Sequence, residues 1–244
     1  MTKELYLDLI RNCLLNTIYE DPDIGHTEFS SSLRENGLAW PSKAHTMIGN
    51  RRMRNIQNAT ETVLQEGIPG DLIETGVWRG GACIFMQAIL KAWGVTDRTV
   101  WVADSFEGLP KPSRVEDAGD RHHEFRELAV SLEEVQSNFQ KYNLLDDQVR
   151  FLKGWFSDTL ASAPIDKLSV LRLDGDMYSS TMDAFDALYH RVSPGGFVII
   201  DDYGAVPACK HAVGDFRTKN NITATIIDID NSSVFWRVPA LAGI

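Results

Sequence analysis

Four aspartates carry the clearest chemistry in this sequence. Asp174 and Asp176 lie in Arg172-Leu-Asp-Gly-Asp-Met-Tyr178, and Asp201-Asp202 follows the apolar run Phe197-Val-Ile-Ile200. Both pairs close a run with strand character. In an open α/β sheet, such strand ends face one crevice. Carboxylates gathered there repel one another unless they are protonated or bound to metal. Hard oxygen donors without Cys or His fit Mg2+, Mn2+ or Ca2+ rather than zinc. Asp174, Asp201 and Asp202 are therefore the expected metal ligands. Asp176 is read either as a helix cap or as pointing away.

A second group lies nearer the N-terminus. Glu74-Thr-Gly-Val-Trp-Arg-Gly-Gly81 directly follows an apolar run. Glycines at a strand-to-helix turn allow close approach of a ligand to the backbone. The segment is not GxGxxG, which weakens a dinucleotide reading. Glu74, with Thr75 and Gly76, suits a cationic cofactor. Asp104, followed by Ser105, ends the next run, where an acid accepts hydrogen bonds from ribose hydroxyls. Asp158 is placed to reach an adenine amino group, and Trp155 or Phe156 to stack on the ring. The adjacent His122 and His123 offer a base or an acceptor contact, or are simply exposed. Tyr178 either positions an acceptor or packs.

The elements that must position these residues follow from pattern. Runs at 71–77, 99–106, 149–156, 168–177 and 197–203 read as strands apolar on both faces, as in a parallel sheet covered by helices. Helical spacing marks 3–20, ended by Asp21-Pro22, and 47–64. A further helix spans 80–93. Ser131 and Glu134 read as a capping box opening a helix to Tyr142. Ser179 or Ser180 is the expected cap of the helix to Tyr189, and Pro194-Gly195-Gly196 the expected stop before the next strand. The runs 224–230 and 233–239, separated by Asn231-Ser232, predict an antiparallel hairpin. The fold class is a doubly wound α/β sheet ending in that hairpin. An N-terminal helical cover (1–65) precedes the main domain (66–244), and the polar segment 111–130 reads as a lid.

The chain has 244 residues and a formal net charge of -10, with 43% hydrophobic and 24% charged residues. That balance suits one globular unit and makes nucleic acid a poor partner. Cys13, Cys83 and Cys209 are widely spaced and odd in number, so neither a disulfide framework nor a thiolate zinc site is expected. No signal peptide or membrane span is evident, and a cytoplasmic location is expected.

Taken together, these stretches resemble the macrocin O-methyltransferase family, which methylates sugar hydroxyls in antibiotic biosynthesis. The resemblance runs from about Met47 to Pro239. It rests on Asp71–Ala82, Trp101–Pro110, Val149–Phe156, Leu173–Tyr178 and Ser193–Tyr203. It implies a class I methyltransferase fold, S-adenosylmethionine as cofactor, Mg2+ (or Mn2+) on Asp174, Asp201 and Asp202, and a homo-oligomer. It also implies that the N-terminal helices and the 111–130 loop enclose a glycoside acceptor. The sulfonium is already a good leaving group, so the demanding task is to activate a weakly acidic sugar hydroxyl. Asp174 is expected to bind the metal and accept the proton. A catechol-type enzyme acting on an aromatic diol would use the same metal motif. An inactive methyltransferase-fold binding protein is the rival from another class, and a nicotinamide oxidoreductase is disfavoured.

Overall fold

The computed structural model describes residues 2–25 and 28–239. Its strands are β1 (Asp71–Thr75), β2 (Val100–Asp104), β3 (Val149–Lys153), β4 (Leu168–Leu173), β5 (Val192–Ile200), β6 (Ile227–Asp228) and β7 (Val234–Arg237). The helices are α1 (Thr2–Leu14), α2 (Ser31–Glu35), α3 (Gly49–Gln65), α4 (Gly81–Ala92), α5 (Leu132–Lys141), α6 (Phe156–Thr159), α7 (Tyr178–Leu188) and α8 (Pro207–Lys219). The strands form one sheet in the order β3-β2-β1-β4-β5-β7-β6. The first five are parallel, and β7 runs antiparallel to β5 and to β6. This is the class I methyltransferase sheet, with the expected terminal hairpin.

Strand alternation divides the core between the two faces. Leu72, Val100, Val102, Val170 and Ile199 pack with α1, α3, α4 and α5. Ile73, Trp101, Leu171, Val198 and Ile200 pack with α7 and α8. The N-terminal helices thus share a core with the sheet. No helix among the described residues is long and apolar enough to cross a membrane.

Several boundaries differ from the sequence reading. The helix expected over 3–20 stops at Leu14. Asn16 and Glu20 take left-handed φ values of 52° and 54°. The carbonyl of Leu14 accepts from the His45 amide (2.9 Å), and that of Leu15 from the Arg34 guanidinium. Ile18, which extended the helical pattern, is exposed. Pro194-Gly195-Gly196 does not precede β5 but lies within it, at a register irregularity against β4. The five parallel strands all end two to four residues early. Those tails become the loops that bear the candidate residues.

Ser131 caps α5 as expected, accepting from the Glu134 amide at 3.2 Å. Neither Ser179 nor Ser180 caps α7. Both lie inside the helix, and Asp117 of the 111–130 segment supplies the cap instead.

His45 joins the N-terminal cover to the body. Its Nδ1 lies 2.8 Å from the Tyr142 hydroxyl, and the two rings meet edge to face. Burial, reinforced by the charges of Lys141 and Arg79 and opposed by Asp21, pushes its pKa down to about 4. The native ring stays neutral while an unfolded chain takes up a proton near pH 6.5. Stability must therefore fall as pH drops from about 6.5 towards 4. His45→Gln, which keeps an acceptor for Tyr142, is expected to flatten the decline of Tm over that window. Equal slopes in the two proteins would remove His45 as a cause.

Candidate active site

The early ends of the strands open a cavity of about 860 Å³ at the carboxyl edge of the sheet. The size suits a cofactor-sized ligand site. Its walls come from the loops after β1, β2, β3, β4 and β5, from the N-terminal cover, and from the 111–130 segment.

Close packing of backbone, not only of ligand, explains the first glycine turn. Gly76 has φ 86°, and a Cβ there would lie 1.7 Å from the Asp174 carbonyl oxygen. The Asp174 amide in turn donates to the Thr75 carbonyl at 2.9 Å. The turn after β1 and the aspartate loop after β4 are thus locked together.

Oxygen atoms of Asp174, Asp201 and Asp202 lie within 4.8 Å of one another. The sequence reading did not anticipate what holds them. Arg172, fully buried in β4, donates to Glu74, to Asp174 Oδ2 (2.8 Å) and to Asp201 Oδ1. Arg52, on α3, donates to Asp201 Oδ2 (2.5 Å) and Asp230 Oδ2 (2.8 Å). Five carboxylates here face two guanidinium groups. Asp202 Oδ2 is buried with no hydrogen-bond partner among the described residues. Burial and the neighbouring aspartates push Asp174 and Asp202 well above the usual carboxylate range. Excess negative charge, an orphaned carboxylate oxygen and an all-oxygen donor set fit a divalent hard cation. Asp174, Asp201 and Asp202 are the residues that could hold it.

Asp176 lies on the same wall in a left-handed conformation, φ 55°. Its carboxylate makes no hydrogen bond or ion pair among the described residues. Burial pushes it up to about 6; His122 opposes this, while Asp201 and Asp120 add to it. It therefore neither caps a helix nor points away.

The expected cofactor residues divide. Glu74 lines the cavity, but its carboxylate is paired with Arg172 and accepts from Cys83 Sγ at 3.1 Å. Gly76, Asp104, Ser105, Trp155 and Phe156 also line it. Asp104 accepts from the Val77 and Phe106 amides, both at 2.7 Å, which fixes its carboxylate at the end of β2. Thr75 is not on the cavity wall, because strand alternation buries it behind Gly76. Asp158 is also absent from the wall. The short helix α6 turns it to solvent, where it accepts from Ser157 Oγ at 2.9 Å.

Of the two histidines, only His122 reaches the wall. Its Nδ1 lies 2.6 Å from Asp120 Oδ2. His123 does not line the cavity, and its Nδ1 is buried without a partner among the described residues. Tyr178 does not face the cavity either. As the first residue of α7 it points to α8, donating its hydroxyl to Asp215 Oδ2 at 3.0 Å and meeting His211 edge to face. Trp40 of the cover, which lines the cavity, meets Phe125 of the 111–130 segment edge to face, 5.9 Å apart.

The model of the macrocin O-methyltransferase family matches residues 22–238. The chain belongs to that family. It is an S-adenosylmethionine-dependent O-methyltransferase. It is 51% identical to the mycinamicin III 3''-O-methyltransferase of Micromonospora griseorubida, over 96% of each chain. It is 54% identical to a Streptomyces olivaceus 4'-O-methyltransferase named for 8-demethyl-8-(2,3-dimethoxy-alpha-L-rhamnosyl)-tetracenomycin C, over 96% of this chain and 93% of the relative. The solved O-methyltransferase NovP superposes with a TM-score of 0.95 at 51% identity, covering 97% of this chain and 99% of that one. In this methyltransferase, the carboxylate cluster and the glycine turn therefore sit within a fold shared almost end to end with its relatives.

Proposed function

We propose that this methyltransferase transfers the methyl group of S-adenosylmethionine to a sugar hydroxyl on a glycosylated natural product, with Mg2+ or Mn2+ at Asp174, Asp201 and Asp202. The observation that carries the metal is the buried, unpartnered Asp202 Oδ2 beside Asp174 and Asp201. The acceptor class is supported by the relatives' names and by a cavity walled in part by Trp40 of the cover and by the 111–130 segment.

The cofactor end is assigned to Gly76, Asp104, Ser105, Trp155 and Phe156. Asp104, immobilised by two amides, keeps lone pairs for ribose hydroxyls. Glu74 supplies negative charge through the Arg172 network rather than as a free carboxylate. A divalent ion held by Asp174, Asp201 and Asp202 would supply Lewis acidity that lowers the pKa of the acceptor hydroxyl.

The proton acceptor is reassigned. Asp174 Oδ2 is held by Arg172, so it is a poor free base. Asp176 has a free carboxylate on the same wall and takes that role. His122, with Nδ1 hydrogen bonded to Asp120, keeps Nε2 as its basic atom and can relay the proton onward. Holding the hydroxyl oxygen in line with the methyl carbon contributes up to about 7–11 kcal/mol through orientation alone.

Isothermal titration of metal-stripped protein tests the reading. S-adenosylhomocysteine is expected to bind without metal, and a glycoside only once Mg2+ is added. A preference for catechols over glycosides would replace the acceptor class. Folded protein that ignores S-adenosylhomocysteine would sink the cofactor assignment.

A further inference from the structure

We propose that Asp117 is a positioning residue that latches the 111–130 segment onto the aspartate loop, so that lid docking and the ordering of the acceptor site are one event. This rests on the reading that the segment covers the acceptor.

The segment is anchored by an apolar side chain only at its end, where Val130 packs into the core. Between Lys111 and Ala129, Asp117 is the only buried residue. It is 1% exposed, whereas Val115, two residues away, is 82% exposed. A lone buried carboxylate is costly unless its hydrogen bonds are satisfied. Here they are: Oδ1 accepts from the Tyr178 amide at 2.6 Å and Oδ2 from the Ser179 amide at 3.0 Å. These amides open α7, an eleven-residue helix whose own N-cap, Met177, offers no side-chain bond. A carboxylate at that end also meets the positive pole of the helix.

The position of the bond gives it consequence. Tyr178 follows Asp174-Gly175-Asp176-Met177 directly. An undocked segment leaves the first α7 amides without this acceptor and loosens Gly175-Asp176-Met177, while Asp174 stays tied to the β1 turn. It also carries His122 away from Asp176. The other link from this part of the segment to α7 is weaker: Arg114 and Asp183 are 3.5 Å apart and partly exposed. At its far end the segment is tied elsewhere, where Trp78 Nε1 donates to the Glu127 carbonyl at 2.8 Å. Asp117 therefore fixes the middle of the segment.

The test compares wild type, Asp117→Ala, Asp117→Asn and Arg114→Gln, each loaded with Mg2+ and S-adenosylhomocysteine. In Asp117→Ala, amide exchange over 111–130 and at Tyr178 and Ser179 is expected to accelerate at least tenfold. Exchange in β1 and β4 should stay unchanged. In turnover, acceptor KM should rise about tenfold, with kcat changed less than threefold and S-adenosylhomocysteine affinity retained. Asp117→Asn, with one acceptor oxygen, should restore part of both effects, and Arg114→Gln should match wild type. Unchanged exchange over 111–130 would overturn the proposal. So would acceleration spread evenly through the strands, which marks a cap needed only for folding. The exchange readout uses no acceptor, so failure of the glycoside reading leaves this result interpretable.

Discussion

Arg172→Met is expected to destabilise the protein by about 3–5 kcal/mol, the usual cost of removing one partner from a buried ion-pair network. Arg172 is fully buried, and its guanidinium joins Glu74, Asp174 and Asp201. Glu74 is 1% and Asp201 4% exposed. Water cannot replace the lost cation at those sites, so two carboxylates remain desolvated. Arg52 still pairs with Asp201, but nothing replaces Arg172 at Glu74 except the Cys83 thiol. Methionine fills similar space and leaves no large void, so the loss reports charge rather than packing. Urea denaturation at neutral pH measures it. A loss below about 1 kcal/mol would show that the network contributes little beyond a hydrophobic isostere. Adding Glu74→Gln should recover part of the loss, because it removes the carboxylate left without a cation.

The contrast between Asp174 and Arg172 shows what the sequence makes legible. Aspartates after apolar runs declare themselves, because no core function places them there. The parallel, helix-covered sheet follows from runs alternating with helices, and the Asn231-Ser232 link marks the hairpin, whereas the strand order is seen only in the structure. Arg172 is hidden inside such a run. Only the paired register of β1 and β4, which sets Glu74 opposite Arg172, shows that its charge turns inward to a carboxylate. Arg52 reaches Asp230 across 178 positions of sequence, and Asp117 reaches Tyr178 across 61. No local pattern encodes contacts of that range. Asp158 and Tyr178 fail for a different reason. Each lies close to the site in sequence, but the short helix α6 and the first turn of α7 rotate their side chains away from it. His122 and His123 were indistinguishable as neighbours. The turn that brings Asp120 Oδ2 to His122 Nδ1 separates them.

Asp202→Asn is expected to abolish tight divalent-metal binding and to lower kcat/KM by roughly 10²–10³-fold, since metal-ion assistance is worth several kcal/mol of transition-state stabilisation. Asp202 is the most discriminating ligand to change. Asp201 is tied to both guanidinium groups and Asp174 to one, so altering either disturbs the ion-pair network as well. Asp202 makes no side-chain hydrogen bond or ion pair among the described residues, and its Oδ2 is buried. Removing its charge should relieve repulsion in the metal-free protein, so Tm without metal should stay level or rise. The increase in Tm that Mg2+ gives the wild type should shrink or vanish. Binding of S-adenosylhomocysteine should persist, because the cofactor end is assigned to Gly76, Asp104, Ser105, Trp155 and Phe156 and not to Asp202. Asp176→Asn is the informative partner. If Asp176 takes the proton, that variant should keep metal affinity and the Mg2+-dependent Tm increase, yet lose about 10²–10⁴-fold in kcat. Metal affinity surviving in Asp202→Asn would remove Asp202 from the ligand set. Wild-type activity surviving exhaustive chelation would go further, leaving the carboxylate cluster as an electrostatic device built from Arg172 and Arg52 alone.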